Sequence, residues 1–186
     1  MRKRTVVIAI LAVIVIASAC GSTSDSNKSG ADVSSDSAFN EADVMFAQEM
    51  ILHHEQAVEM ADMALASSAY ASPQVIDLAK RIKSAQGPEI ETMKGWLTDW
   101  NMPMKMDHMT HMSGMMSNDE MASLRNLNYA EFDKVWLEMM IKHHQGALES
   151  AKAIQASGKC PPVLKLASQI VSDQTAEINE MQLLLK

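Results

Sequence analysis

The amino-acid sequence predicts an all-α protein, an antiparallel four-helix bundle built from two repeated helical hairpins. Apolar residues recur at helical spacing through most of residues 41–185, and the second half of this region repeats the first. Residue types common at helix starts and ends lie at the boundaries of the periodic segments. The sequence contains no strand-like alternation of apolar and polar residues that would compete with this interpretation.

The first 19 residues are typical of a secretory signal peptide, which export removes. Basic residues at 2–4 precede an apolar run at 6–16, and about 14 apolar residues are too few to span a bilayer. Small residues then lead to Cys20, in a pattern that resembles a bacterial lipobox. We therefore expect cleavage before Cys20 and lipidation of that cysteine. Ordinary cleavage after Ala19 and an uncleaved anchor are the alternatives.

Residues 20–40 are rich in Ser, Asp and Gly, so we expect a flexible linker behind the lipidated cysteine. The mature protein is predicted to be extracytoplasmic, secreted across the cytoplasmic membrane and held to its outer side through the lipid anchor alone. Cleavage removes three of the 16 basic side chains and none of the 23 acidic ones, which leaves a net charge of −10. Such a surface repels nucleic acids and suits cations.

We expect four long helices and one short helix in the folded domain, residues 41–186. The first and third long helices each carry an inner seam of residues spaced three and four apart. The seam residues are Phe46, Met50, His53, Ala57, Met60 and Ala64 in the first helix, and Phe132, Trp136, Met139, His143, Ala147 and Ile154 in the third. The expected helix bounds are 41–69, 73–99, 129–157 and 162–185, with the short helix at 118–127.

Capping residues support these bounds. Ser72 followed by Pro73 is typical of a helix start, and Gly158 of a helix end. Two capping boxes are expected, one formed by Ser117 with Glu120 and one by Asn128 with Glu131.

The two hairpins repeat each other at a nearly constant register. A shift of 90 residues superposes Met-Ile-x-His-His at 50–54 on the same pattern at 140–144, and a shift of 88 aligns 78–93 with 166–181. Two antiparallel hairpins of similar length close most simply as a four-helix bundle. The domain is therefore divided into hairpin 1 at 41–100, a Met/His-rich connector at 101–121 and hairpin 2 at 122–186.

Each hairpin carries two adjacent histidines preceded by a methionine, and we interpret these residues as candidate metal ligands. They are Met50, His53 and His54 in hairpin 1, and Met140, His143 and His144 in hairpin 2. The spacing places the methionine and both imidazoles of a hairpin on one helical surface. Burying four imidazoles without a function is costly, because each has a donor and an acceptor that need partners. The alternative is a set of satisfied core histidines, since duplication copies structural residues as readily as functional ones.

The second helix of each hairpin offers partners for these histidines. A Gln, a Glu and a Met at positions i, i+3 and i+7 share one helical face. They are Gln86, Glu89 and Met93 in hairpin 1, and Gln174, Glu177 and Met181 in hairpin 2. Glu89 is expected either to bind the ion or to accept a hydrogen bond from an imidazole, although a carboxylate without a role is the alternative. Pro88 should kink its helix and make the two hairpins locally different.

The connector concentrates soft ligands. Seven of the 17 methionines and two of the six histidines fall within residues 102–116, among Pro, Gly, Ser and charged residues. Thioether and imidazole groups together select soft cations, above all Cu(I) and also Ag(I), and a thioether needs no deprotonation to bind. We expect a loose segment that captures ions, and a hydrophobic flap over the bundle is the alternative. Its candidate ligands are Met102, Met104, Met106, His108, Met109, His111, Met112, Met115 and Met116.

The duplicated pattern Phe-x3-Met-Ile-x-His-His-x2-Ala, followed by Gln-x2-Glu-Ile-x2-Met, resembles the domain-of-unknown-function 305 family over residues 46–181. The resemblance implies a ferritin-like four-helix bundle and a kinship with CopM-like copper-binding proteins, which are extracytoplasmic and linked to copper resistance. It points to Met50, His53, His54, Glu89, Met93, Met140, His143, His144, Glu177 and Met181 as ligands. The sequence departs from the repeat at Gly87-Pro88, and at Ser150 where the first copy has Met60, which leaves equal affinity of the two halves open.

The expected function is that of a lipid-anchored Cu(I)-binding protein, not an enzyme, that sequesters copper, transfers it to a partner protein or confers resistance. A ferritin-like di-iron oxidase is an alternative, but such sites use Glu-x-x-His on two helices. Here Met50 and Met140 stand three residues before His53 and His143. A structural or partner-binding bundle, whose histidines satisfy one another, is the third interpretation.

Overall fold

The structure is a computed structural model that describes residues 38–105 and 112–186. The described part is all-helical, as predicted. Its helices are α1 (Glu41–Leu65), α2 (Pro73–Asp99), α3 (Asn118–Arg125), α4 (Tyr129–Ser157) and α5 (Pro161–Leu184). The predicted signal peptide, the lipidation at Cys20 and most of the linker lie outside the described residues. Among the described residues, no helix combines the length and the apolar character that crossing a membrane requires.

The helix bounds follow the prediction closely, with one clear exception. α1 ends at Leu65 rather than at residue 69, because Ala66 adopts an extended backbone and the chain then turns. At the start of α2, the Ser72 hydroxyl accepts a hydrogen bond from the Val75 N–H, and Pro73 occupies the first turn as expected. Gly158 ends α4.

One of the two expected capping boxes forms and the other does not. Ser117 and Glu120 form the box at the start of α3. Asn128 makes no side-chain cap on α4, so that expectation is wrong. The reason is tertiary: Tyr129 takes a positive φ of 54°, and its N–H donates to the Ala69 carbonyl 2.8 Å away in the α1–α2 loop.

Contacts at the two ends of the bundle define its topology. The side-chain amide of Asn40, before α1, donates to the Ser157 carbonyl at the end of α4 at 2.8 Å. The loop after α1 meets the start of α4 through the Tyr129–Ala69 hydrogen bond. α1 and α4 therefore run antiparallel, and the chain between α2 and α4 must travel the length of the bundle. A four-helix bundle with one such long crossover has the ferritin-like connection.

A buried carboxylate fixes the end of the bundle where α1 begins. Asp43 is fully buried and accepts hydrogen bonds from the backbone N–H of Asn40 at 2.9 Å, Cys160 at 3.0 Å and Lys159 at 3.1 Å. Because the last two belong to the α4–α5 loop, one side chain joins both hairpins. Asn40 and its neighbour Phe39 are packed here, although the sequence placed them in the linker; Phe39 stacks on Trp100, with ring centroids 4.5 Å apart.

The buried apolar side chains form two separate clusters along the bundle. The upper core surrounds Met60, Leu78 and Trp136, near the α1–α2 loop. The lower core surrounds Phe46 and Leu97, near the start of α1, and includes the fully buried Cys160. What separates the two cores is polar.

Candidate metal centre

A layer of buried polar side chains lies at mid-height between the two cores. All its members are at most 4% exposed. They are His53 and His54 from α1, Gln86 from α2, His143 and His144 from α4, and Gln174 from α5. We call this set the polar layer. The sequence repeat therefore brings both histidine pairs to the same depth, where an ordinary bundle would bury apolar side chains.

Each hairpin pairs one histidine with one glutamate. Nε2 of His54 lies 2.8 Å from a carboxylate oxygen of Glu89, and Nε2 of His144 lies 2.7 Å from one of Glu177. In a neutral imidazole, a proton on Nε2 that is donated to the carboxylate leaves Nδ1 as the lone-pair nitrogen. The near-identical distances mean that Pro88, although it lies inside α2, does not make the hairpins differ at this contact.

The remaining two histidines meet where the hairpins face each other. The rings of His53 and His143 are in contact and tilted, with centroids 3.7 Å apart and planes inclined by 33°. Burial, together with the neighbouring His54 and His144, lowers the pKa of His53 from 6.5 to about 3. Burial and then His53 also lower the pKa of His143 well below its ordinary value. Both imidazoles are therefore neutral at physiological pH, with a free lone pair each.

The polar layer holds an unusual number of ring nitrogens without a hydrogen-bond partner. Among the residues that the structure describes, neither nitrogen of His53 or of His143 has a partner, and neither does Nδ1 of His54 or of His144. Buried polar atoms rarely lack a hydrogen-bond partner, so each of these nitrogens needs an explanation. Six unpartnered imidazole nitrogens at one depth fit a site that receives an ion better than they fit a satisfied core.

The carboxylates lie on the side of the layer formed by α2 and α5. Burial, and then the charges of Glu89 and Glu177, raise the pKa of Asp173 in α5, so the three acidic groups are close enough to interact. Among the described residues, however, no three His, Cys, Asp or Glu side chains converge on one point where they could hold a metal ion.

Four methionines are available around the layer, and all are fully buried. Met50 and Met93 belong to the lower core, and Met140 and Met181 to the upper core. Both methionines of hairpin 1 therefore lie on the lower side of the polar layer, and both methionines of hairpin 2 lie on the upper side. The thioethers lie on the helical faces that the sequence assigned to them.

The connector is less loose than the sequence suggested. Met116 is buried in the upper core, and Met102 and Met112 pack against the lower core. Met115 is half-buried, while Met104 is exposed. The remaining candidates, Met106, His108, Met109 and His111, lie outside the described residues. The interpretation of the whole segment as loose is wrong at both of its ends, because those ends contribute to the core.

Three residues that anchor the connector were not predicted. The Gln48 side chain donates to the Pro103 carbonyl at 2.6 Å, Gln56 bonds to the backbone of Met116, and Gly146 lies directly against the connector backbone. A sequence signal existed for two of them. Gln56 and Gly146 occupy equivalent positions in the 90-residue repeat, and the repeat breaks there.

The chain matches the family model described as "Domain of unknown function (DUF305)" over residues 43–185. The chain belongs to this family. The match covers the bundle and both histidine pairs, and it confirms the resemblance seen in the sequence. No curated protein sequence matches this DUF305 chain.

Solved structures of DUF305 proteins share the fold. A DUF305 fragment from Deinococcus radiodurans is 32% identical, with a TM-score of 0.70 over 78% of this chain and 96% of the other. A DUF305 protein from Streptomyces coelicolor, inferred to be secreted, is 30% identical, with a TM-score of 0.70 over 75% and 89%. CopM in its Cu(I)-bound form is 31% identical, with a TM-score of 0.64 over 75% and 92%. CopM is also known in Cu(II)-bound and Ag-bound forms.

Proposed function

We propose that this DUF305 protein binds copper outside the cytoplasmic membrane, with Cu(I) as the favoured state, and that it sequesters the ion or passes it on. The similarity to CopM, whose structures hold Cu(I), Cu(II) and Ag, supports a copper-type ion. The observation that carries the proposal is the polar layer, with its unpartnered imidazole nitrogens between fully buried methionines.

The donor set is matched to a soft, monovalent ion. Imidazole and thioether ligands select Cu(I) and Ag(I), whereas Mg²⁺ and Ca²⁺ require several oxygen ligands. The low pKa of His53 means that no proton has to be displaced from it at neutral pH. Glu89 and Glu177 would hold the Nε2–H of His54 and His144, so that Nδ1 is presented to the ion.

We propose binding without catalysis. A di-iron oxidase site takes a Glu from each of two helices and a Glu-x-x-His motif from each of the other two. Beside the polar layer, Glu89 and Glu177 supply one carboxylate per hairpin to the histidines, and each contacts an imidazole. These carboxylates suit the orientation of a histidine better than the bridging of two iron ions.

The proposed location rests on the sequence and on the relatives. The predicted signal peptide, the cysteine that follows it and the secreted character inferred for the Streptomyces relative all agree with an extracytoplasmic protein. Lipidation at Cys20 would keep the bundle at the outer side of the membrane on a linker of roughly 17 residues, too short to carry it far. Copper would then be intercepted next to the membrane that it must cross.

A competition titration tests the proposal. Anaerobic Cu(I) is divided between the reduced protein and a chromophoric chelator, first for the wild type and then for a variant with Met50→Leu and Met140→Leu. Leucine preserves side-chain volume, so the fold should tolerate the change. We expect the double variant to bind Cu(I) at least about tenfold more weakly, which corresponds to about 1.4 kcal/mol.

The matched control replaces two methionines of the upper core away from the histidines, Met60→Leu with Met63→Leu. It should compete for Cu(I) as well as the wild type does. A separate variant, Met106→Leu with Met109→Leu, measures what the middle of the connector adds. If the wild type takes no Cu(I) from the chelator, or if both core variants behave alike, the proposed site is wrong.

A further inference from the structure

The C-terminal end of the connector is bound across the seam between α1 and α4. We call residues 112–116 the strap. On the α1 side, the carboxamide of Gln56 accepts the N–H of Met116 at 2.7 Å and donates to the carbonyl of Met116 at 2.9 Å. One side chain thereby satisfies both polar groups of a backbone unit, as a neighbouring strand would do.

On the α4 side, the strap fits because position 146 has no side chain. A Cβ atom built on Gly146 would lie 1.8 Å from the Ser113 carbonyl oxygen and 2.9 Å from the Gly114 nitrogen. The strap itself has a positive φ of 82° at Gly114, where a Cβ would come within 2.6 Å of the Lys142 carbonyl oxygen. Backbone packed on backbone at this distance leaves no room for any substitution that adds a Cβ at Gly146.

The strap covers His53 and His143, the two histidines whose rings are in contact. Gln56 lies one helical turn beyond His53, and Gly146 one turn beyond His143, so the strap is anchored next to each ring. The Ser113 carbonyl lies close enough to His53 to oppose part of the lowering of its pKa. No hydrogen bond with good geometry results, since both ring nitrogens of His53 remain unpartnered.

The opposite side of the polar layer is in contact with water. The side chains of Glu89 and Glu177 are 20% and 13% exposed, whereas the imidazoles of His54 and His144 that they contact are fully buried. A cation that approaches from this side meets negative charge first. On the strap side, an ion would have to displace packed backbone.

We propose that Gly146 and Gln56 are positioning residues that seat the strap over His53 and His143, so that ions reach and leave the histidines from the Glu89–Glu177 side. This inference rests on the proposed function only because it assumes that the histidines bind a metal cation. The covering of the histidines by the strap is a property of the metal-free protein and is testable without a metal.

The first experiment compares Gly146→Ala with Gly95→Ala. The control makes the same chemical change inside a long helix, where the added Cβ has nothing within 4 Å. The metal-free proteins are treated with diethyl pyrocarbonate, and the modification of each histidine is followed by mass spectrometry. We expect His53 and His143 to react at least about tenfold faster in Gly146→Ala, because the strap is displaced. Gly95→Ala should match the wild type.

Gln56→Ala is the second variant. It introduces no steric clash, so it can test the inference even if Gly146→Ala fails to fold. It removes both bonds to Met116, so the Met116 amide should exchange its hydrogen faster, together with faster modification of His53 and His143. Equal reactivity of these two histidines in the wild type, Gln56→Ala and Gly146→Ala would overturn the inference. An equal gain at all four paired histidines would overturn it too, since that result indicates general loosening.

The last measurement uses Ag(I) as the probe. Ag(I)-loaded wild type, Gly146→Ala and Gly95→Ala are mixed with excess chelator, and the rate of release is recorded. Faster release from Gly146→Ala alone supports the positioning role, whereas equal rates in the three proteins contradict it. If the wild type binds no Ag(I), the proposed function fails while the modification experiment still decides whether the strap covers the histidines.

Discussion

Acidification should destabilise the metal-free protein through the buried pair His53 and His143. His53 has its pKa lowered from 6.5 to about 3 in the folded protein, and that of His143 is also well below its ordinary value. The unfolded chain therefore binds protons at a pH where the folded protein does not. The stability that depends on the neutral pair is present above pH 6.5 and is lost progressively as the pH falls from 6.5 towards 3.

The magnitude follows from the proton count. Each pH unit costs about 1.4 kcal/mol for each histidine that stays neutral only in the folded state. For His53 alone the loss comes to about 2 kcal/mol by pH 5, and His143 adds to it in the same direction. Because a domain of this size is typically stable by about 5–15 kcal/mol, the effect is a substantial fraction of the total.

The assay is chemical denaturation at several pH values between 7.5 and 5 in the presence of a metal chelator. The control is His53→Leu with His143→Leu, which removes both titrating groups and leaves the remaining charges in place. Below pH 6.5 the free energy of unfolding of the wild type should fall relative to that of the control, by at least about 1 kcal/mol per pH unit. A difference that does not change with pH would refute the reasoning, since the pair would then protonate without unfolding the protein.

Three further predictions concern the fold and the anchor. Asp43→Ala leaves three backbone N–H groups without their acceptor and should lower the free energy of unfolding by about 3–5 kcal/mol in denaturant melts, whereas Asp77→Ala at an exposed position should change it by less than about 0.5 kcal/mol. Trp136→Phe removes the indole N–H that donates to the Met60 carbonyl at 2.8 Å inside the upper core, and should cost about 1–3 kcal/mol by the same measurement. Cys20→Ser should move the mature protein from the membrane fraction to the soluble extracytoplasmic fraction of the producing cells; retention in the membrane fraction would contradict lipidation at this residue.

The helices and the paired histidines could be predicted because their signals are local. Spacing of three and four identifies a helix whatever the rest of the chain does, and capping by Ser72 and Ser117 involves residues three positions apart. The end of α1 and the missing cap at Asn128 could not be predicted in this way. Both are decided where the α1–α2 loop meets the start of α4, through the Tyr129–Ala69 hydrogen bond.

The candidate site shows the same division. The sequence indicated that each hairpin carries a histidine pair and a methionine on one helical surface, but the meeting of both pairs in one layer appears only in the structure. The sequence did not indicate that the rings of His53 and His143 contact each other while Glu89 and Glu177 bind His54 and His144, because that choice depends on how the hairpins are rotated against each other.

The sequence by itself determined the repeated hairpins, their helical faces and the types of ligand those faces carry, since each depends on residues a few positions apart. The tertiary structure alone decided the course of the connector. Asp43 and Gln56 accept hydrogen bonds from backbone in distant parts of the chain, and Gly146 contacts such backbone closely. A partner tens of residues away produces no periodic pattern in the sequence. Close contact between backbones depends on shape in three dimensions, which is why a glycine that differs from its repeat partner became meaningful only in the folded protein.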